Sequence, residues 1–247
     1  MHNLGLTRSV RRANHSLHTP DAFIRTTIPG MAKAAAIIHA SRALGAAFTQ
    51  YTAEMESNGT LGSCAYQRFV FVLEGTVEIA VGTNHHLLAT HDYAYLPEKI
   101  DHEVIASEPS RLAVIEKVYQ RLKGRPSPEP LFSSEAKIEA QPLMGDPGLM
   151  VRSLLPDTMG FDFAVNTMTY QPGAGLSMVE VHVMEHGLLM LEGGGIYRLD
   201  QDWYPVAAGD FIWMGPYCPQ WFGAIGKTPA KYLIYKDWNR HPLDHAR

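Results

Sequence analysis

F-V-F-V-L-E-G-T-V-E-I (Phe69 to Ile79) and G-L-L-M-L-E-G-G-G-I-Y (Gly187 to Tyr197) share one pattern: an apolar run, an acid, a glycine turn and a second run. Gly75 and Gly193 lie 118 positions apart. H-D-Y-A-Y-L-P (His91 to Pro97) matches G-D-F-I-W-M-G (Gly209 to Gly215), and Asp92 and Asp210 are again 118 apart. One offset serving two separate motifs marks a duplicated unit.

Both copies read as strands. Short apolar runs (Phe69–Leu73, Ala94–Leu96, Leu188–Leu191, Phe211–Met214) are divided by Gly, Asn, Asp and Pro turns. No sustained 3.6-residue pattern predicts a long helix. Residues Ile37 to Tyr51 and Lys137 to Met150 are expected to hold connecting strands. R-L-K-G-R-P-S-P-E-P-L-F-S-S-E (Arg121 to Glu135), rich in Pro, Ser and charge, reads as a linker. The expected fold is all-β, two tandem small barrels or sandwiches. An N-terminal extension and first unit would fill 1–121, a linker 122–136 and a second unit 137–247.

Composition narrows the class. The 247 residues are 46% hydrophobic and 19% charged, values of a globular protein with a sizeable core. A net charge of −4 gives no reason to expect nucleic acid or an anionic membrane as partner. Two cysteines, Cys64 and Cys218, make no disulfide framework and fit a reducing compartment. The N-terminus carries arginines and no acid before Asp21, and it lacks the apolar stretch of a secretory signal; it reads as a mobile basic arm. The longest apolar patch, Met31 to Ala40, is interrupted by Lys33 and too short to span a bilayer. A soluble cytoplasmic protein is expected.

E-V-H-V-M-E-H-G (Glu180 to Gly187) carries the candidate chemistry. Glu180 and His182, two apart, would share one strand face. His186 has the same parity, but four extended residues cover roughly 13 Å. The three side chains meet at one ion only if the chain bends between His182 and His186. Downstream, G-D-F-I-W-M-G-P-Y-C-P-Q-W (Gly209 to Trp221) offers Gln220 after a Gly-Pro turn. Two imidazoles, a carboxylate and an amide oxygen suit Mn²⁺, Fe²⁺ or another borderline divalent ion, with positions open for water or substrate.

These motifs resemble the paired motifs of the cupin superfamily, H-x-H-x₃₋₄-E-x₆-G and G-x₅-P-x-G-x₂-H. Glu180, His182 and His186 stand at the three ligand positions of the first, Gly193 follows His186 after six intervening residues, and Gln220 replaces the histidine of the second. The order Glu, His, His, Gln, with M-E-H-G, G-P-Y-C-P-Q and Y-L-I-Y-K-D-W-N-R, is similar to that of the (S)-ureidoglycine aminohydrolase family. The likeness covers most of the chain, including I-P-G (Ile28 to Gly30) and L-G-A-A-F-T-Q-Y (Leu44 to Tyr51), and is strongest from Asn166 to Arg240. It implies a bicupin, a bound Mn²⁺ or other divalent metal, homo-oligomers, and the conversion of (S)-ureidoglycine and water to (S)-ureidoglycolate and ammonia in allantoin catabolism. Moving the ligand numbers back by 118 gives Gly62, Cys64, Arg68 and His102, so the first cupin is expected to be metal-free.

The resemblance assigns substrate contacts to Glu180, Gln220, Tyr232 and Lys236, with Tyr197 close by as a catalytic candidate. Glu180 would bind metal and accept a proton; Lys236 would pair with the substrate carboxylate or protonate the leaving amine. Residues 232 and 236 share one strand face, and a buried lysine needs a partner. The plainer reading of each is packing: Tyr197 and Tyr232 as strand residues, Lys236 as solvated, Cys218 as a structural thiol. His85, His86, His91, His241 and His245 read as exposed; Trp203, Trp213 and Trp221 as core or interface; Met184 and Met190 as core in preference to pocket lining. Two other classes compete: an O₂-consuming cupin oxidase or dioxygenase, and a non-catalytic bicupin, which needs no intact ligand set.

Overall fold

The computed structural model describes residues 6–241. Among them strands follow strands, broken only by single turns of 3-10 helix at Pro20–Ala22, Arg42–Leu44 and Glu135–Lys137. No helix among the described residues is long and apolar enough to cross a membrane. The chain divides into two compact units, Ile24–Ile138 and Glu139–Arg247, the second joined by the segment up to Phe23.

In the first unit one antiparallel sheet runs in the order Leu131–Ser134, Asp92–Leu96, Gln67–Glu74, Ser110–Lys117, Thr49–Leu61, His102–Ala106, Thr76–Val81, Asn84–Ala89. Thr49–Leu61 pairs with Ser110–Lys117 along its first half and with His102–Ala106 at its end, so one long strand wraps the barrel. Val70, Val72, Val77, Ile79, Leu112 and Val114 fill the interior. Phe69 and Phe71, of opposite parity, are buried too, Phe69 stacking on Tyr93. Burial on both faces is why these strands read as continuous apolar runs.

In the second unit a large sheet runs Val10–Arg11, His15–His18, Phe211–Met214, His186–Glu192, Ala230–Asp237, Phe163–Tyr170, Asp146–Ser153, Gln141–Leu143. A smaller sheet joins Asp202–Ala207, Gly194–Leu199 and Gln220–Ala224. Leu188, Met190, Leu199, Phe222 and Ile234 form the core, each contributing about 1.5–3 kcal/mol by leaving water.

The two shared landmarks do the same work in each copy. Gly75 and Gly193 turn with φ of +84° and +63°. A Cβ at either would collide with a backbone carbonyl, that of Pro109 or Pro229. Asp92 accepts from the Ala89 amide and Asp210 from the Ala207 amide, both at 2.9 Å. Each aspartate closes the turn three residues before it.

Two expectations are corrected. The N-terminal segment from Val10 is no mobile arm and does not cluster with the first unit: His15–His18 pairs with Phe211–Met214 as an added strand of the second. Its arginines are spent on that unit, Arg8 on the buried Asp210 through two bonds of 2.7 and 2.9 Å and Arg12 on Asp202 at 3.0 Å. The linker is shorter than 122–136, because Leu131–Ser134 forms a strand on Asp92–Leu96.

Candidate functional site

Glu180 belongs to no ladder. It makes a single antiparallel bridge with Gln220, the two amides donating to each other's carbonyls at 2.8 and 2.9 Å. The expected strand through Glu180 and His182 is therefore one bridge, after which the chain leaves extended pairing until His186 opens His186–Glu192. Two anchors hold this excursion: the His182 carbonyl accepts from the Tyr217 amide at 2.8 Å, and the buried Glu185 carboxylate accepts from Trp213 Nε1 at 2.7 Å. The bend between His182 and His186 required by the spacing is present, and it brings the two rings edge to face, 4.8 Å between centroids.

Three neighbours surround His182 Nε2. His186 Nε2 lies 3.2 Å away, Gln220 Nε2 2.8 Å and Glu180 Oε2 3.9 Å. A half-turn of the Gln220 amide presents Oε1 in place of Nε2. His186 Nδ1 faces the Tyr235 carbonyl at 3.2 Å, so the proton sits there and Nε2 keeps its lone pair. Burial first, and the adjacent His182 second, lower the His186 pKa to about 3, which leaves the ring neutral. Ligands at right angles on a divalent ion with bonds of about 2.1 Å lie about 3 Å apart. Among the described residues no three His, Cys, Asp or Glu side chains stand together closely enough to hold a metal ion. The donor types nonetheless suit a divalent ion: two imidazoles, a carboxylate and, with Gln220, an amide.

The donors form one wall of a cavity of about 240 Å³, metabolite-sized, whose other walls include Tyr197, Asn166, Tyr232, Lys236 and Trp238. Lys236 has no ion pair among the described residues; its Nζ rests 4.3 Å from the Trp238 ring centroid. Burial lowers its pKa, opposed by the negative charges of Asp157 and Glu180. Tyr232 and Tyr170 share a hydroxyl–hydroxyl bond of 2.7 Å, and burial holds both well above the usual phenol range, as it does Tyr197. Cys218 lies in the core, its thiol pushed up to about 11 by burial.

Glu180, His182, His186, Tyr197, Gln220, Tyr232 and Lys236, singled out from the sequence, all line this cavity, with Met184. Asn166, Trp238 and Tyr170 carry no such signal in the sequence. Met190 fills the core, the favoured of its two readings. Trp203 is 57% exposed and so is not core, and His86 is half-buried against Phe132 at 3.6 Å where an exposed ring was expected. His245 lies outside the described residues.

The first unit shows what became of the same positions. Arg68 Nη1 donates to the Gly62 carbonyl at 2.8 Å and approaches His102 Nε2 at 2.7 Å. Its Nε and Nη2 reach Glu116 at 2.9 and 2.7 Å. Arg68 lies opposite Glu116 as His186 lies opposite Lys236. Tyr51 lies opposite Val114 as Asn166 lies opposite Ile234, so strand register equates Glu116 with Lys236 and Tyr51 with Asn166. Tyr51 donates to Glu116 at 2.9 Å. A permanent cation, already neutralised, is built into the place that His186 occupies in the other copy.

A family model described as a cupin domain matches residues 166–235. The chain is 42% identical over 244 residues to a probable (S)-ureidoglycine aminohydrolase of Oryza sativa subsp. japonica, covering 97% of this chain and 78% of that protein. It is 41% identical over 244 residues to the (S)-ureidoglycine aminohydrolase of Arabidopsis thaliana, covering 97% and 80%. A crystal structure of a putative glyoxylate-induced protein from Pseudomonas aeruginosa superposes with a TM-score of 0.87 at 30% identity, covering 96% of this chain and 93% of that one.

Proposed function

The chain belongs to the (S)-ureidoglycine aminohydrolase family, and from that premise we propose how its second barrel hydrolyses (S)-ureidoglycine to (S)-ureidoglycolate and ammonia in allantoin catabolism. One observation carries the reading: Glu180, His182, His186 and Gln220 line the same cavity as the Lys236 ammonium, which has no ion pair among the described residues. The substrate carbon bears an amine, a ureido nitrogen, a hydrogen and a carboxylate, so it needs an anion partner at one side and proton handling at another.

Glu180, His182, His186 and Gln220 would hold a divalent metal, Mn²⁺ or a similar ion. Such an ion, when bound, supplies Lewis acidity that orients the substrate and favours deprotonation of water. Lys236 binds the carboxylate as a desolvated point charge, held toward the cavity by the Trp238 face. Glu180 Oε2 takes the proton that the attacking water loses. As the C–O bond forms, the C–N bond to the amine breaks, and Glu180 returns the proton it took to the departing nitrogen, which leaves as ammonia. Tyr197 lines the cavity beside this path, and Tyr232, bonded to Tyr170, orients the substrate through a hydroxyl that burial keeps protonated.

We place the protein in the cytoplasm as a homo-oligomer. Met178, Val181 and Tyr217, at 57%, 56% and 60% exposure beside the ligand segment, are apolar surface that a second copy would cover. The test of the reaction is ammonia release from freshly generated ureidoglycine by Mn²⁺-loaded and chelated protein, with product handedness followed. Release that stays at the spontaneous rate in both samples would reject it.

A further inference from the structure

Asn166 is 7% exposed, and its backbone is spent in the ladder between Ser153 and Ile234. Its amide makes no hydrogen bond to protein among the described residues. The side chain faces the cavity, and its neighbours on that wall, Val151, Met168 and Ile234, are apolar. A carboxamide in such surroundings demands a partner, and the cavity is the place left to supply one. At the equivalent position of the first barrel Tyr51 is satisfied by Glu116. In the second barrel both members of the pair, Asn166 and Lys236, are left for a ligand.

We infer that Asn166 reads the ureido group of the substrate, an assignment that rests on the reaction proposed above. A carboxamide and a urea are complementary edge to edge. Asn166 Nδ2 donates to the urea carbonyl, and the terminal urea N–H donates to Oδ1. Ala164 faces Lys236 and Asn166 faces Ile234, so Asn166 and Lys236 are diagonal neighbours on adjacent strands, about 7–8 Å apart with the Cβ atoms somewhat closer. That separation lets a short amide and a long ammonium grip two substituents of one carbon. With the amine turned toward Glu180, three of its four substituents are assigned, which is the minimum needed to distinguish its hands.

The test is calorimetric titration of the Mn²⁺-loaded full chain with N-carbamoylglycine and N-acetylglycine. The two share size and carboxylate and differ in the terminal NH₂, which the second replaces by methyl. Wild type should prefer the carbamoyl compound about tenfold. Asn166→Leu, similar in size but apolar, should bring the two within about twofold, with melting temperature and metal content retained. Asn166→Ala serves if the leucine variant does not fold. A preference that survives either folded variant overturns the assignment, as does loss of bound metal, which would make Asn166 part of the ion's support. If wild type releases ammonia from ureidoglycine yet binds neither analogue, Asn166 is not the ureido reader although the reaction stands. If it neither binds nor reacts, the proposed reaction fails and takes this assignment with it.

Discussion

Arg68 Nη1 donates to His102 Nε2 across 2.7 Å, which fixes the imidazole proton on Nδ1, facing the Ile100 carbonyl at 2.9 Å. The guanidinium is 2% exposed and its partner Glu116 13%. Deleting one member of a buried pair strands the other. Arg68→Met should therefore destabilise the protein by about 3–5 kcal/mol in urea denaturation. Turnover per folded molecule, if chemistry belongs to the other barrel, should stay within about twofold.

His102 also gives the first barrel a pH dependence. Burial first and Arg68 second lower its pKa in the folded state. The unfolded ring takes up a proton near pH 6.5. The stability held by neutral His102 is thus complete above that value and is lost as pH falls toward the lower folded pKa. His102→Gln keeps an acceptor for Arg68 but cannot titrate. Its melting temperature should fall less than that of wild type between pH 7.5 and 5; an equal fall counts against the assignment.

Lys236→Met preserves the stem and the contact with Trp238 while removing the charge. A substrate carboxylate would then enter the cavity unpaired, a loss of about 2–5 kcal/mol. Steady-state assays should show kcat/KM reduced about a hundredfold or more, mainly through KM, with metal content full. Normal kinetics in this variant would remove Lys236 from the site.

Metal removal should act on stability as well as activity. An ion that binds only the folded chain raises its melting temperature in proportion to ln[metal] once saturated. Mn²⁺ added to chelated protein should raise the melting temperature in scanning calorimetry. The shift should vanish in His186→Ala, whose ring supplies the lone pair on Nε2. A full shift in that variant would show the ion binding elsewhere.

The duplication was legible because it rests on local chemistry. Gly75 and Gly193 must turn where a Cβ cannot fit, and Asp92 and Asp210 must close the same turn. The bend after His182 was legible because four extended residues overshoot any coordination sphere. The N-terminal strand was not, since nothing in R-S-V-R-R-A-N-H-S-L-H (Arg8 to His18) reveals that its partner is Phe211–Met214. Strand pairing at that range depends on which edge is free, and no local pattern records it. Asn166 was invisible for a related reason: an amide without a partner is a property of its surroundings, not of its neighbours in the chain.

The pairing of His15–His18 with Phe211–Met214 sets an order of assembly during synthesis. The first barrel has every strand in hand once Ile138 has been made, and the strand beginning at His15 must wait for one that begins at Phe211. The second barrel is therefore the last part to close, with an unusually long loop of chain between two strands of one sheet. A fragment begun at Glu139 would leave the edge of Phe211–Met214 bare, open to pairing with other chains. The second unit should not be expected to behave as an independent domain.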